Sequence, residues 1–394
     1  MATAYTREVD DPALACEEIL GQLKLEQLDL ERGHAAALIF CHAEFIESGT
    51  ALALCDALPM PALGCTSQVS GVREDADEIF LSVAVLWGDE VRFAAGVSGS
   101  LADAYETRIG DFYRAAAASL PGKPALVFAL LPVMTNCTGD IMLSLLDNAA
   151  GGDVPIFGSA AEDADSEKVR HPYTFYYDPA GGVPAAAYRD RMTALLMQGP
   201  IKPRFFSAEF PNTTIAAQDA IITAARGSRL IAINNMRAVT YLEKIGVYRP
   251  NALNTLYIAP LIINYRDGTP PVSLSVNDVT PEGSLLCSRP LRVGGVLNAG
   301  ASTSSYVIES AVSLARNIRL AGEGSALFFV SCYLRNILLG GENLAEIAAI
   351  RKELEDFTTP YLLFYSWGEI CPRFTGGGKP INRFLQTTLA ACLL

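Results

Sequence analysis

Hydrophobic and polar positions along the chain repeat one arrangement three times: an aliphatic run, an amphipathic segment, and a second aliphatic run that ends in small residues. The first copy spans 35–71, the second 124–163 and the third 325–370. Because an amphipathic helix that joins two aliphatic strands makes a crossover, the pattern predicts three pairs of parallel strands buried on both faces. The carboxyl ends of each pair then meet at one edge of a sheet.

The amphipathic segment of the third copy is the best defined. Asn343 is placed to cap a helix, with Glu346 three residues later as in a capping box. The segments 78–99 and 271–279 alternate and turn as hairpins do, so antiparallel strands are expected to extend the sheets. Together these patterns predict an α+β fold of mixed β-sheets flanked by helices. The apolar face of the third helix is predicted to contain Ile347, Ile350, Leu354 and Phe357.

A new folding unit is expected to begin between residues 212 and 235, where a strand leads to a turn at Asn234 and Asn235 and then to a helix. We therefore predict two domains, an N-terminal one at 34–222 and a C-terminal one at 223–394. Residues 1–33 are predicted as a helical extension, with a helix from about Pro12 to Leu28.

Composition narrows the classes of function. The chain has 394 residues, half of them hydrophobic, and a formal net charge of -13. No apolar run approaches the roughly 20 residues of a membrane span, and the acidic charge disfavours nucleic acid. Nine cysteines without a CxxC pair, and no signal peptide, predict free thiols in the cytoplasm. With only three histidines and no phosphate-binding motif, we expect neither a metal site nor a cofactor.

Four segments resemble the FIST family, named for F-box and intracellular signal transduction. They are GCTSQVSG at 64–71, IFGSAAED at 156–163, SCYLR at 331–335 and FYSWGEI at 364–370. The resemblance spans about residues 35–390 and implies a FIST N-terminal and a FIST C-terminal domain. Leu334 and Leu363 stand where the family usually has Gly, and INRF at 381–384 retains only Asn382 of a His-Asn-x-Thr motif. The resemblance implies a sensory domain for small ligands, with amino acids as candidates.

The candidate ligand site lies where the strands end, because open sheets bind ligands at that edge. The third copy contributes Cys332, Arg335, Gly368 and Glu369, and the resemblance adds Asn382. The small-residue turns of the first two copies offer backbone amides and hydroxyls, with tight backbone packing as their alternative role. Those turns contribute Gly64, Cys65, Thr66, Gly158 and Ser159.

Two of these side chains have alternative interpretations. A thiol beside a guanidinium and a helix start ionises more readily, so Cys332 is either a reactive or ligand-binding thiol or a packed core residue. A thiol enzyme would need a base, for which His34 and His171 are candidates. Arg335 either clamps an anionic ligand or pairs with Glu369.

From the sequence we therefore predict a cytoplasmic sensory protein that binds a small molecule and acts through a separate signalling partner. A thiol-dependent enzyme that uses Cys332 is one alternative. A protein-protein adaptor without a ligand is the other.

Overall fold

A computed structural model describes residues 1–28, 34–163, 172–209, 220–249, 260–264, 266, 268, 271–300, 303–374 and 378–394. The helices are α1 (Pro12–Leu23), α2 (Glu44–Glu47), α3 (Thr50–Ala57), α4 (Tyr105–Ala117), α5 (Gly139–Ala149), α6 (Ala238–Lys244), α7 (Ser304–Ala321), α8 (Tyr333–Leu338) and α9 (Ala345–Glu353). The strands are β1 (Ala2–Thr6), β2 (Ala35–Cys41), β3 (Ala62–Thr66), β4 (Ser70–Val72), β5 (Ala76–Asp77), β6 (Leu81–Trp87), β7 (Arg92–Val97), β8 (Leu126–Leu131), β9 (Ile156–Ala160), β10 (Thr174–Asp178), β11 (Val183–Tyr188), β12 (Thr193–Gln198), β13 (Arg204–Ala208), β14 (Ala220–Arg226), β15 (Arg229–Ile233), β16 (Met236–Arg237), β17 (Leu261–Asn264), β18 (Val272–Leu274), β19 (Val276–Val279), β20 (Leu285–Cys287), β21 (Val296–Ala299), β22 (Leu327–Cys332), β23 (Tyr361–Ser366), β24 (Gly368–Phe374), β25 (Pro380–Leu385) and β26 (Leu389–Leu393).

Three six-stranded sheets have the same arrangement of strands. The first sheet has the order β1-β6-β2-β3-β10-β11, the second β7-β12-β8-β9-β24-β25 and the third β13-β26-β22-β23-β4-β5. In each sheet the central pair is parallel, as β2 with β3, β8 with β9 and β22 with β23. The three predicted crossovers and the α+β class are therefore confirmed.

The sheets are linked because each repeat gives a hairpin to a neighbouring sheet. We call the whole segment around each parallel pair a repeat. The first repeat, residues 2–87, builds most of the first sheet but gives β4 and β5 to the third sheet. The second, residues 92–198, gives β10 and β11 to the first sheet, and the third, from residue 204 onward, gives β24 and β25 to the second. The exchange is cyclic, so no repeat completes its own sheet.

The antiparallel strands expected in segments 78–99 and 271–279 are confirmed, but neither segment forms a hairpin. The strands of segment 78–99, β6 and β7, lie in the first and second sheets respectively, and β18 and β19 of segment 271–279 pair with β17 and β20 rather than with each other. Alternation predicts a strand but not its partner, and here the strands on either side of each turn pair with other strands. Helix α1 also ends before the predicted Leu28, because Lys24 adopts a left-handed conformation.

A fourth sheet is inserted into the third repeat between β13 and α7. It has the order β18-β17-β21-β14-β15-β20-β19, with β16 paired to β15. Its turn at Asn234 and Asn235 is as predicted, since both residues have positive φ angles of 49° and 61°. We call this fourth sheet the inserted sheet. Because the other three sheets exchange strands, the predicted division at residue 222 stays a prediction.

Aromatic rings from all three repeats meet in one core. Phe40 of β2 stacks on Phe364 of β23 with ring centroids 3.6 Å apart. Phe128 of β8 meets Phe328 of β22 edge to face at 5.3 Å, and Phe157 of β9 at 5.6 Å. All five side chains are fully buried. The three sheets therefore share a single hydrophobic core.

Phe128→Ala should lower the free energy of unfolding by about 3–5 kcal/mol, because it opens a cavity where the three repeats meet. Leu320→Ala, at a position that is 86% exposed, should change it by less than about 0.5 kcal/mol. Urea unfolding followed by circular dichroism measures both. Equal effects of the two substitutions would contradict a shared core.

Candidate functional site

A small pocket lies where the chain passes twice between the third and second sheets. The first passage runs from Ser366 at the end of β23 to Gly368 at the start of β24, and the second from β25 to β26. The pocket has a volume of about 40 Å³, and none of the described residues that line it is charged. Its lining consists of Ser275, Cys332, Tyr333, Leu334, Ser366, Trp367 and Gln386.

A fully buried carboxyl group lies next to this pocket. Glu369 accepts a hydrogen bond from the Ser366 hydroxyl at 2.9 Å and another from the Thr388 backbone amide at 3.2 Å. Burial raises the pKa of Glu369 to about 8, although the hydrogen bonds from Ser366, Thr388 and the Cys332 thiol act in the opposite direction. Glu369 is therefore mainly protonated and neutral at pH 7.

The other two repeats have no carboxyl group at the position of Glu369. In the strand register, Glu369 lies opposite the residue that follows Gly158, and Thr174 lies opposite the residue that follows Gly64. The corresponding position of the first repeat's hairpin is Ser70. Folding of the repeat thus does not require an acid there. Because a buried carboxyl group is costly, its presence beside the pocket favours a functional role.

Comparison with protein families identifies the chain. Residues 35–236 match the FIST N domain and residues 238–372 match the FIST C domain. The chain belongs to the FIST family. FIST domains are associated with signal transduction and with the sensing of small ligands.

The other comparisons add little. No curated protein matches the chain. One solved structure, described as T. maritima PurL complexed with FGAR, shares 10% sequence identity over 100% of this chain and 72% of that one, with a TM-score of 0.20. A similarity at that score supports no conclusion about fold or function. Within the described ranges, no helix has the length and apolar content that a bilayer crossing requires.

The Cys332 thiol of this FIST protein is held in its protonated form. The side chain is 2% exposed, and burial together with the nearby Glu369 raises its pKa well above the ordinary value. The nearby Arg335 lowers this pKa, as expected of a guanidinium, but by less than burial raises it, so the expected easier ionisation is not found. Of the two candidate bases, His34 has Nδ1 2.9 Å from the carbonyl oxygen of Gly88, and His171 lies outside the described residues. The geometry does not favour a thiol enzyme.

Arg335 pairs with Glu346 and not, as the sequence suggested, with Glu369. Both side chains are fully buried, and Glu346 Oε1 accepts from Arg335 Nη2 at 2.5 Å and from Nε at 2.8 Å. Arg335 Nη2 also donates to the Val307 carbonyl and to the Ser310 hydroxyl. Only Nη1 lacks an acceptor among the described residues. The guanidinium therefore belongs to the core and does not line the pocket.

The second oxygen of Glu346 is also satisfied. It accepts from the Ser331 hydroxyl at 2.7 Å and from the Tyr365 hydroxyl at 2.8 Å. The predicted capping box is thus wrong: the carboxylate faces the third sheet, and α9 begins after Leu344 without a side-chain cap. The helix itself is confirmed but ends at Glu353, so that only Ile347 and Ile350 lie on it, while the predicted Leu354 and Phe357 are buried beyond its end.

The three predicted glycines stand at close approaches between elements. An added Cβ would lie 2.3 Å from the Phe175 ring at Gly64, and 2.3 Å from the Phe384 ring at Gly368. At Gly158, which has a φ of +145°, it would lie 1.9 Å from a backbone oxygen of β8. Packing thus accounts for all three, and their role as ligand contacts stays a prediction.

Of the remaining predicted residues, Cys65 and Ser159 face each other between the first and second sheets, with Sγ and Oγ 3.8 Å apart. Thr66 Oγ1 accepts from the Tyr173 amide at 2.9 Å. None of the three lines the pocket around Cys332. Their assignment to a ligand site likewise stays a prediction.

Asn382 has a structural set of partners. Its side chain accepts from the Ile156 amide at 2.8 Å and donates to Asp147 at 2.7 Å and to the Val154 carbonyl at 2.9 Å. These bonds fasten β25 to α5 and to the start of β9. Asn382 therefore holds the exchanged hairpin in the second sheet.

Six pocket residues were not predicted, and two of them, Tyr333 and Leu334, lie inside the SCYLR segment. Ser366 and Trp367 lie inside the FYSWGEI segment, so the motif already contained the signal for them. Ser275 and Gln386 had no local signal, because they meet only through the fold. The Gln386 side-chain oxygen accepts from the Ser275 amide at 3.1 Å and from the Ser288 hydroxyl at 2.5 Å. The inserted sheet thereby forms one wall of the pocket.

Glu369→Gln should weaken the dependence of stability on pH. The folded protein keeps the Glu369 proton up to about pH 8, whereas the unfolded chain releases it near the ordinary value of 4.5. The wild-type free energy of unfolding therefore loses, from this group, about 3 kcal/mol between about pH 5.5 and about pH 8, and the variant lacks this loss. Urea unfolding at both pH values measures it, with the exposed Glu355→Gln as control. Identical pH profiles for Glu369→Gln and wild type would contradict a neutral Glu369.

Glu346→Leu should cost about 3–5 kcal/mol of stability, because it leaves the Arg335 charge buried without its carboxylate. Adding Arg335→Met should restore part of that loss, since the unpaired charge is then gone. Arg316→Met, which breaks a surface pair with Glu353, should cost at most about 1 kcal/mol. The account of Arg335 fails if the double variant is less stable than Glu346→Leu alone in urea.

Proposed function

We propose that this FIST protein is a sensory protein whose pocket at Cys332, Ser366 and Gln386 binds the uncharged polar end of a small metabolite. The observation that carries the proposal is a neutral buried Glu369 beside a pocket whose described lining residues are uncharged, with no carboxyl group at the same position of the other two repeats. A buried carboxyl group costs stability, and the other two repeats fold without one at this position. A site that selects a ligand explains why it is there.

The size of the pocket indicates how much of a ligand enters. One water needs at least about 10–15 Å³ of such space, so about 40 Å³ accepts a group of roughly three or four heavy atoms. A carboxamide or a hydroxyl on a short stem is of this size. The rest of the molecule lies in the mouth of the pocket, against Tyr333 and Trp367.

The chemistry of the lining favours a neutral ligand end. The Ser275 hydroxyl donates or accepts, the Ser366 hydroxyl accepts because its proton is donated to Glu369, and the side-chain nitrogen of Gln386 donates. Arg335 is paired in the core, and none of the described residues that line the pocket offers a cation to a carboxylate. We therefore infer that glutamine, asparagine, serine and threonine, or metabolites with the same end groups, are better ligands than aspartate, glutamate, lysine or arginine.

The response to the ligand passes to a separate signalling partner. The pocket wall formed by Ser275 belongs to the inserted sheet, so a ligand that moves this wall changes a surface remote from the pocket. All nine cysteines are free, which fits a reducing compartment such as the cytoplasm.

Thermal unfolding in the presence of each of the twenty amino acids tests the proposal. At least one of glutamine, asparagine, serine or threonine should raise the melting temperature through mass action, and the four charged amino acids should not. Leu334→Trp should abolish the shift, because Leu334 is half-buried in the pocket wall and the larger ring fills the space.

The matched control is Ile337→Trp on the same helix, which lies outside the pocket lining and is 44% exposed. This variant should keep the shift. Stabilisation that survives Leu334→Trp would place the ligand elsewhere. Stabilisation by aspartate or glutamate alone would contradict a pocket for an uncharged group and would favour Arg335 as the group that binds an anionic ligand.

A further inference from the structure

The inserted sheet carries the opposite charge to the rest of the chain. Residues 220–299 contain eight Lys and Arg against four Asp and Glu, whereas the remainder contains 22 against 39. Residues 220–299 therefore have a net charge of +4, whereas the rest of the chain has a net charge of -17. A charge imbalance of this kind is a property of surfaces that select an oppositely charged partner.

The outer face of this sheet exposes apolar side chains on three neighbouring strands. Ile221 of β14, Ile231 of β15 and Leu286 of β20 are 45%, 38% and 36% exposed. Leu230 and Leu285, next to them in sequence, are cross-strand partners and fully buried. Alternation therefore separates an inner face, which packs on the core, from an apolar outer face.

Arginines lie beside these apolar side chains. Arg226 is directly opposite Arg229 in the register, and Arg229 is opposite Leu286. The connection that carries Arg292 and the 64% exposed Val293 runs along β14, where backbone bonds join it to that strand. Arg229 pairs with Glu282 at 2.7 Å.

Two of the arginines have no ion-pair partner among the residues that the structure describes. Arg226 and Arg292 form no ion pair with any residue that the structure describes, and both are exposed. Their charges are therefore available to a partner. The six residues that define this docking face are Ile221, Arg226, Ile231, Leu286, Arg292 and Val293.

We propose that the docking face binds a partner protein through a segment in which acidic and apolar side chains are mixed. The apolar residues supply the area that becomes buried, and the arginines select acidic side chains at its margin. An apolar patch with two exposed arginines beside it, Arg226 and Arg292, is unusual on a surface that meets only solvent. The strongly acidic remainder of the chain repels the same segment, which confines it to this face.

The docking face is connected to the pocket through short paths. Leu286 is two residues before Ser288, whose hydroxyl bonds Gln386, and Ser275 immediately precedes β19 of the same sheet. A ligand that displaces Gln386 thereby acts on the strand that carries Leu286. This coupling rests on the proposed function, whereas docking itself does not.

The test measures binding of a fluorescein-labelled peptide in which acidic residues alternate with leucine, by fluorescence anisotropy. A matched peptide has glutamine in place of every acidic residue. The full-length protein should bind the acidic peptide at least tenfold more tightly than the glutamine peptide, and more weakly as salt is raised. Arg226→Glu with Arg292→Glu should weaken binding of the acidic peptide at least tenfold.

The control is Lys202→Glu with Lys352→Glu, which changes the net charge equally at exposed positions away from the inserted sheet. Its affinity should stay within twofold of wild type. Equal binding of the two peptides, or no effect of the arginine reversals, would overturn the proposal. The amino-acid thermal shift should survive the arginine reversals, so failure of docking and failure of the ligand site are distinguishable.

Other occupants give different results. Binding to phosphatidylserine vesicles or to duplex DNA, lost in the arginine variant while the peptide fails to bind, would replace the partner protein by an anionic surface. Concentration-dependent self-association in analytical ultracentrifugation, lost in the same variant, would make a second copy of the chain the occupant. Either outcome would overturn the proposal of a partner protein.

Discussion

The core shared by three sheets is the constraint on which the rest of the structure depends. Each repeat gives a hairpin to a neighbouring sheet, so the exchange closes only when all three repeats are present. The aromatic contacts between Phe40 and Phe364, and between Phe128 and Phe328, join the central strands of different sheets. The third repeat passes from the third sheet to the second sheet between β23 and β24, and returns between β25 and β26. The pocket lies where these two connections meet.

The same passage explains why polar groups are buried in an otherwise apolar interior. Where the backbone leaves one sheet for another, side chains must satisfy hydrogen bonds that the strands no longer supply. Glu369 accepts from the Thr388 amide at this point, while Arg335 and Glu346 neutralise each other behind it. The result is a pocket without charge, set against a neutral acid. These features together favour recognition of a ligand over covalent chemistry by Cys332.

Local pattern was sufficient for the parallel strand pairs, the FIST family and the placement of Cys332 beside Glu369. It failed for the two hairpins, because alternation does not say which sheet a strand will join. It also failed for Arg335, whose partner Glu346 looked like a helix cap from its spacing. Ser275 and Gln386 could not be predicted, because their contact joins segments far apart in the chain and depends on the inserted sheet.

A crystal structure of the protein with the amino acid that gives the largest thermal shift tests the central claim most directly. The account predicts that its uncharged polar end lies between Ser366 and Gln386, beside Cys332, with Arg335 still bonded to Glu346. An amino acid bound anywhere else, or one whose carboxylate has separated Arg335 from Glu346, would contradict it.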